Sequence, residues 1–156
     1  MLNFGTGFVE RFISMGDLAG GTPATLRREP STVGETARSG PIEPIVIELL
    51  GDVGTGKTTF TRGLAEGLGI KEPITSPSFT ISKSYALPSS KGRLIHYDFY
   101  RLSDPGLMLD DLRENLENPE NIIVIEWGES ATNILPENRI KIEIKYNNDN
   151  SREVIL

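Results

Sequence analysis

Apolar positions along the chain fall into three patterns. Ile45-Val46-Ile47-Glu48-Leu49-Leu50 and Ile122-Ile123-Val124-Ile125 are short, β-branched and almost continuously apolar, as expected of parallel strands buried on both faces. Ile140-Lys141-Ile142-Glu143-Ile144 alternates instead. With the turn residues Asn147 to Asn150 and the run Glu153-Val154-Ile155-Leu156, it predicts a C-terminal hairpin. Residues 74–85 hold a Ser/Thr-rich loop and then a strand, Ser89-Ser90-Lys91-Gly92 a turn, and residues 93–100 a returning strand. Helical spacing marks two stretches. Phe60, Leu64 and Leu68 recur every fourth residue up to Gly67-Leu68-Gly69, and residues 107–116 place Leu107, Leu112 and Leu116 inward. A short helix is expected over residues 31–39, broken by Ser39-Gly40-Pro41. Residues 1–28 hold no sustained period, because Gly16 and Ala19-Gly20-Gly21-Thr22-Pro23 interrupt the face begun by Phe8, Val9, Phe12 and Ile13. Residues 1–28 therefore read as a poorly ordered extension and 29–156 as one domain. The expected fold is an α/β sandwich around a mixed, largely parallel central sheet.

Composition narrows the functions open to such a domain. A length of 156 residues suits one modest core. The absence of cysteine excludes disulfides, thiolate chemistry and sulfur-ligated zinc. No apolar run is long enough to span a bilayer, and Met1-Leu2-Asn3-Phe4-Gly5 lacks the basic and apolar blocks of a secretory signal, so a cytoplasmic location is expected. A net charge of −6 makes the chain a poor generic nucleic-acid binder on electrostatic grounds; any link to RNA is expected to pass through a protein partner.

The chemistry begins where the first apolar strand ends. Gly51-Asp52-Val53-Gly54-Thr55-Gly56-Lys57-Thr58 fits the phosphate-loop pattern G-x-x-x-x-G-K-[ST] without departure. Glycines let the chain curl so that successive N–H groups converge on phosphates. Lys57 offers an ammonium to the β- and γ-phosphates, the Thr58 hydroxyl suits Mg²⁺, and Thr59 follows in the new helix, whose N-terminus adds a positive dipole end. Average residue frequencies give a chance match of about 1% for a chain of this length, before the flanking strand and helix are counted. A P-loop NTPase domain is therefore the expected class.

Hydrolysis also needs groups that hold Mg²⁺ or orient water. Asp98 ends the Leu94-Ile95-His96-Tyr97 run and Glu126 ends Ile122 to Ile125, the strand ends where open α/β sheets collect ligand-binding residues. Lys57, Asp98 and Glu126 are the candidate catalytic residues, and spacing does not divide metal binding from water orientation between the two acids. Thr75-Ser76-Pro77-Ser78 offers three hydroxyls and reads equally as a γ-phosphate sensor or as a turn with local caps. His96, the one histidine, reads as a hydrogen-bonded core residue, and Trp127 as a packing residue or a neighbour of the nucleotide. Arg62 and Arg101 could approach phosphates but are ordinary solvated arginines by default.

Four ordered blocks together resemble the TsaE family, the small bacterial ATPases of tRNA threonylcarbamoyladenosine synthesis. These are the P-loop continued by Thr59-Phe60 and Arg62-Gly63; Ser76-Pro77-Ser78-Phe79; His96-Tyr97-Asp98-Phe99-Tyr100-Arg101-Leu102; and Ile125-Glu126-Trp127. Arg152 beside the final strand fits as well. The resemblance implies ATP and Mg²⁺ as cofactors, slow hydrolysis, and partnership with the TsaD and TsaB proteins, with threonylcarbamoyl transfer on TsaD. It implies Thr58 and Glu126 at Mg²⁺ with Asp98 in the same acidic cluster; the candidate nucleotide-binding residues are Gly51 to Thr59, Ser76, Ser78 and Trp127. The chain departs from the pattern at Ser78 (usually Thr), Gly128 (commonly Pro) and Pro30 (usually Thr, in a nucleotide-contacting region). A small-molecule kinase would need an arginine-bearing lid, which is not visible, and a signalling GTPase an N-K-x-D sequence, which is absent. A nucleotide-gated adaptor with negligible turnover is the non-enzyme alternative.

Overall fold

The computed structural model describes residues 25–27, 43–100, 102, 104, 106–147 and 151–156. The helix expected over residues 31–39, Pro30 and Arg101 lie outside the described residues. Among the described residues seven strands form one sheet: β1 (Thr25–Arg27), β2 (Ile45–Leu50), β3 (Ser82–Ala86), β4 (Arg93–Asp98), β5 (Ile122–Glu126), β6 (Ile140–Tyr146) and β7 (Arg152–Ile155). Their order across the sheet is β1-β7-β6-β2-β5-β4-β3. The β2–β5, β2–β6, β4–β5 and β1–β7 pairs are parallel, and the β3–β4 and β6–β7 hairpins are antiparallel. The sheet is thus mixed and largely parallel, with the expected C-terminal hairpin. Its edge reaches β1, inside the segment read as an extension; three residues without a period leave no mark in the hydrophobic pattern.

Side-chain parity explains why the central strands carry unbroken apolar runs. Ile122 and Val124 join Ile47, Leu49, Phe60 and Leu64 in one core, while Ile123 and Ile125 join Val46, Tyr97 and Leu112 in another. Successive residues of a strand face opposite sides, so both faces of β5 are covered. Helix α1 (Lys57–Gly67) packs on the first face through Phe60 and Leu64, and α2 (Leu107–Leu116) on the second through Leu112. Each fully buried aliphatic side chain contributes about 1.5–3 kcal/mol. One charge interrupts this pattern: Glu48, buried in β2, accepts from Arg139 Nε at 2.7 Å, a pairing needed to bury a carboxylate.

One expectation about side-chain orientation is corrected. Leu107 is 84% exposed rather than inward. At 3.6 residues per turn it lies about 140° around the helix from Leu112, so Met108 and Leu109 meet the core in its place. The loop-then-strand order expected over residues 74–85 is found, with β3 starting at Ser82 after a turn in which the Thr80 and Ile81 amides bond back to the Pro77 carbonyl. Helix α2 is pinned further by Tyr97, whose hydroxyl donates to Asp111 Oδ2 at 2.5 Å and accepts from Asn115 Nδ2 at 2.9 Å. Burial, and then the Asp111 carboxylate, push the Tyr97 phenol well above its ordinary range, so it keeps its proton.

Leu112→Ala is expected to lose about 2–5 kcal/mol of stability, whereas Leu107→Ala should stay within about 0.5 kcal/mol of the parent. Urea unfolding checks both, and equal losses would contradict the orientation of α2.

Candidate functional site

The loop from Gly51 to Gly56 connects the buried strand β2 to α1, and its shape depends on main-chain contacts. Gly51 has φ +132, and a Cβ there would stand 2.2 Å from the Ile144 carbonyl oxygen on β6. A main-chain atom cannot swing aside, so no side chain fits. The Asp52 carbonyl accepts from the Thr55 amide at 3.3 Å and the Thr55 hydroxyl at 2.9 Å, which folds the loop upon itself. From β6, the Tyr146 hydroxyl donates to the Gly54 carbonyl, and Arg152 lies 4.2 Å from the Tyr146 ring. Gly56, left-handed at φ 110, starts α1 without a side-chain cap. The first amides of the helix therefore point into the loop, an arrangement suited to an anion.

Lys57 is buried beneath this loop and donates to the Gly51 carbonyl at 2.6 Å and the Asp52 carbonyl at 2.9 Å. Its Nζ also lies 4.4 Å from the centre of the Trp127 ring, a cation–π contact, and Trp127 in turn meets Tyr100 at 5.0 Å. Burial pushes the ammonium below the ordinary lysine range, while Glu126, Asp98, Asp52 and Glu129 pull it back up. Trp127 adopts φ 59, the left-handed region, at the start of the 3₁₀ turn Gly128–Ala131. That backbone reversal carries the chain away from β5 directly after Glu126.

Parity and register bring the acids to the loop. Glu126 continues the Ile122, Val124 series and Asp98 the Leu94 series, so both leave the sheet on the α1 face. The parallel β4–β5 ladder sets Asp98 opposite Glu126, and the β2–β5 ladder sets Leu49 opposite Glu126, just before the loop. Both acids are 4% exposed. Glu126 Oε1 accepts from Thr58 Oγ1 at 3.0 Å and from His96 Nε2 at 2.8 Å. Asp98 Oδ2 accepts from the Ser78 hydroxyl and from Ser76 Oγ at 3.2 Å, while Oδ1 takes the Tyr100 amide at 3.0 Å. The two serine oxygens are 2.7 Å apart.

The sequence-predicted residues thus sort clearly. Gly51, Asp52, Val53, Gly54, Thr55, Gly56, Lys57 and Thr58 form the loop and helix start, with Thr59 half-buried in the first turn. Ser76 and Ser78 meet Asp98, and Trp127 meets Lys57. Arg62 is exposed on α1. The serine loop is more than a locally capped turn, since its hydroxyls reach across to β4. Sequence reasoning missed the placement of His96 on Glu126, although its spacing of two from Asp98 signals a shared face. It also missed Tyr146, for which no local signal exists until β6 is set beside β2. Thr58, Glu126 and Asp98 provide only oxygen donors, in keeping with Mg²⁺. Among the described residues no group of three His, Cys, Asp or Glu side chains could hold a metal by itself. A cation here would need phosphate or water ligands, as Mg²⁺ commonly takes.

A strand running into a glycine loop and an uncapped helix, with an acid ending the adjacent parallel strand, defines the P-loop class of α/β proteins. A family model described as "Threonylcarbamoyl adenosine biosynthesis protein TsaE" matches residues 25–154, and the chain belongs to the TsaE family. Similar proteins bear the name tRNA threonylcarbamoyladenosine biosynthesis protein TsaE, among them those of three bacteria. That of Streptomyces coelicolor is 39% identical over 64% of this chain and 67% of its own length. That of Bacillus subtilis is 41% identical over 70% of this chain and 66% of its own length. That of Treponema pallidum is 37% identical over 78% of this chain and 93% of its own length. The match therefore spans about two thirds of the first two relatives. The crystal structure of Bacillus subtilis YdiB superposes with a TM-score of 0.56 at 38% identity, covering 72% of this chain and 67% of that one. Among the described residues no helix is long and apolar enough to cross a membrane.

Gly51→Ala is expected to destabilise the fold by about 2 kcal/mol or more, through left-handed strain and the Ile144 carbonyl. Unaltered urea unfolding of that variant would contradict the loop geometry.

Proposed function

We propose that this protein is a Mg²⁺-dependent ATPase serving tRNA threonylcarbamoyladenosine biosynthesis in complex with TsaD and TsaB. The observation that carries the reading is the 3.0 Å contact of Thr58 with Glu126 at the mouth of the glycine loop, with Asp98 in register beside it. A hydroxyl and two carboxylates at a phosphate-binding loop are the donors that a Mg²⁺-triphosphate needs. The names of the relatives supply the pathway, and the net charge of −6 suits a subunit that leaves the tRNA to its partners.

In this reading the loop amides and the start of α1 bind the phosphates, and Lys57 leaves the Gly51 and Asp52 carbonyls for the β- and γ-phosphate oxygens. Thr58 and Glu126 hold the cation, which when bound neutralises charge developing on the phosphate oxygens. Asp98 orders Ser76 and Ser78, and this serine loop senses the terminal phosphate. Trp127 covers the lysine side of the site and limits water access.

Lys57→Ala should weaken ATP binding about 10- to 100-fold, from the 1.5–3 kcal/mol typical of a charged hydrogen bond. Asp98→Asn and Glu126→Gln should each lower turnover about 100-fold while changing binding less. Calorimetry and phosphate release measure the two effects, and wild-type values in all three variants would refute the assignment. Co-purification of TsaD and TsaB with the wild type, dependent on nucleotide, is the expected partner result.

A further inference from the structure

His96 is fully buried in β4 and faces the α1 side of the sheet, in series with Asp98. Its register partner on β5 is Val124, so the ring reaches diagonally to the next position of that face, where Nε2 lies 2.8 Å from Glu126 Oε1. Because a carboxylate accepts, Nε2 carries the hydrogen. The other ring nitrogen, Nδ1, is buried without a hydrogen-bond partner among the described residues. A leucine would fill this interior without leaving an orphan polar atom, and burying one carries a cost. The only side-chain hydrogen bond that offsets this cost among the described residues goes to Glu126. That bond lands on the oxygen that also accepts from Thr58, so among the described residues Oε2 is left uncommitted.

We propose that His96 is a positioning residue: it locks the Glu126 carboxylate through Oε1 so that Oε2 stays free for the divalent cation or its water. The proposal rests on the Mg²⁺-ATP reading of the site. His96 touches neither nucleotide nor cation; it acts through Glu126, as ligand-orienting partners do in metal sites. Thr58 supplies one bond to that carboxylate from the loop and His96 the other from the sheet. Only the second is independent of how the loop moves.

The test compares wild type with His96→Leu, which fills the space without a donor, and His96→Gln, which restores an N–H near the position of Nε2. ATP titrations are followed by fluorescence of Trp127, the single tryptophan, across a range of Mg²⁺ concentrations and in EDTA, with a ligand-free thermal melt of each protein. Expected is a Mg²⁺ requirement raised about tenfold in His96→Leu and close to wild type in His96→Gln. ATP affinity in EDTA should be equal in all three. Turnover of His96→Leu should fall through kcat, with KM for ATP unchanged at saturating Mg²⁺. If His96→Leu does not fold, His96→Met carries the same comparison. A wild-type Mg²⁺ requirement in the donor-free variant, or a defect in His96→Gln as large as in His96→Leu, overturns the proposal. Wild-type protein that binds no Mg²⁺-ATP overturns the ATPase reading and this inference with it.

Discussion

The parallel ladder joining β2, β5 and β4 is the constraint on which the site depends. Hydrogen-bond register sets Asp98 beside Glu126 and both beside the end of β2, while strand parity turns their carboxylates toward α1. A slip of one residue in either pairing would rotate an acid to the α2 face and bury it against Ile125 or Tyr97 instead. The apolar content of these strands is thus part of the chemistry. Ile123 and Ile125 lock the register from one side, and Ile122 and Val124 from the other.

The loop has a different kind of support. It is held by carbonyls and by the second hairpin, through the Ile144 carbonyl against Gly51 and the Tyr146 hydroxyl on Gly54. The C-terminal hairpin, which sequence patterning presents only as two paired strands, therefore touches the phosphate loop at two points. The β3–β4 hairpin touches the site from the opposite flank, because the serine loop leads into β3 and closes on Asp98. Both hairpins contribute contacts that the central parallel strands alone could not make.

Local features of this fold were legible in the sequence, and non-local ones were not. The glycine loop, the buried strands and both hairpins announce themselves within short continuous stretches of chain, since period and turn chemistry are short-range properties. Asp98 and Glu126 could be named as strand-end acids, but that they are register partners depends on a pairing between residues far apart in sequence. The same distance hid the ion pair of Glu48 with Arg139 and the role of His96, which sequence alone presents as an ordinary core residue. Leu107 misled for another reason: an apolar residue in the first turn of a helix fits a loose pattern while lying off its buried arc. Strand β1 had too few residues to show any pattern.

The carbonyl contacts of Lys57 have an energetic consequence. The Lys57 ammonium is chelated by the backbone of its own loop, through the Gly51 and Asp52 carbonyls. An anion drawing on that ammonium would take part in an exchange, displacing two internal acceptors. Net affinity is then the difference between incoming and surrendered bonds. A ligand too short or too weakly charged to outcompete two main-chain oxygens would gain little from Lys57, so these carbonyls would act as a filter on charge.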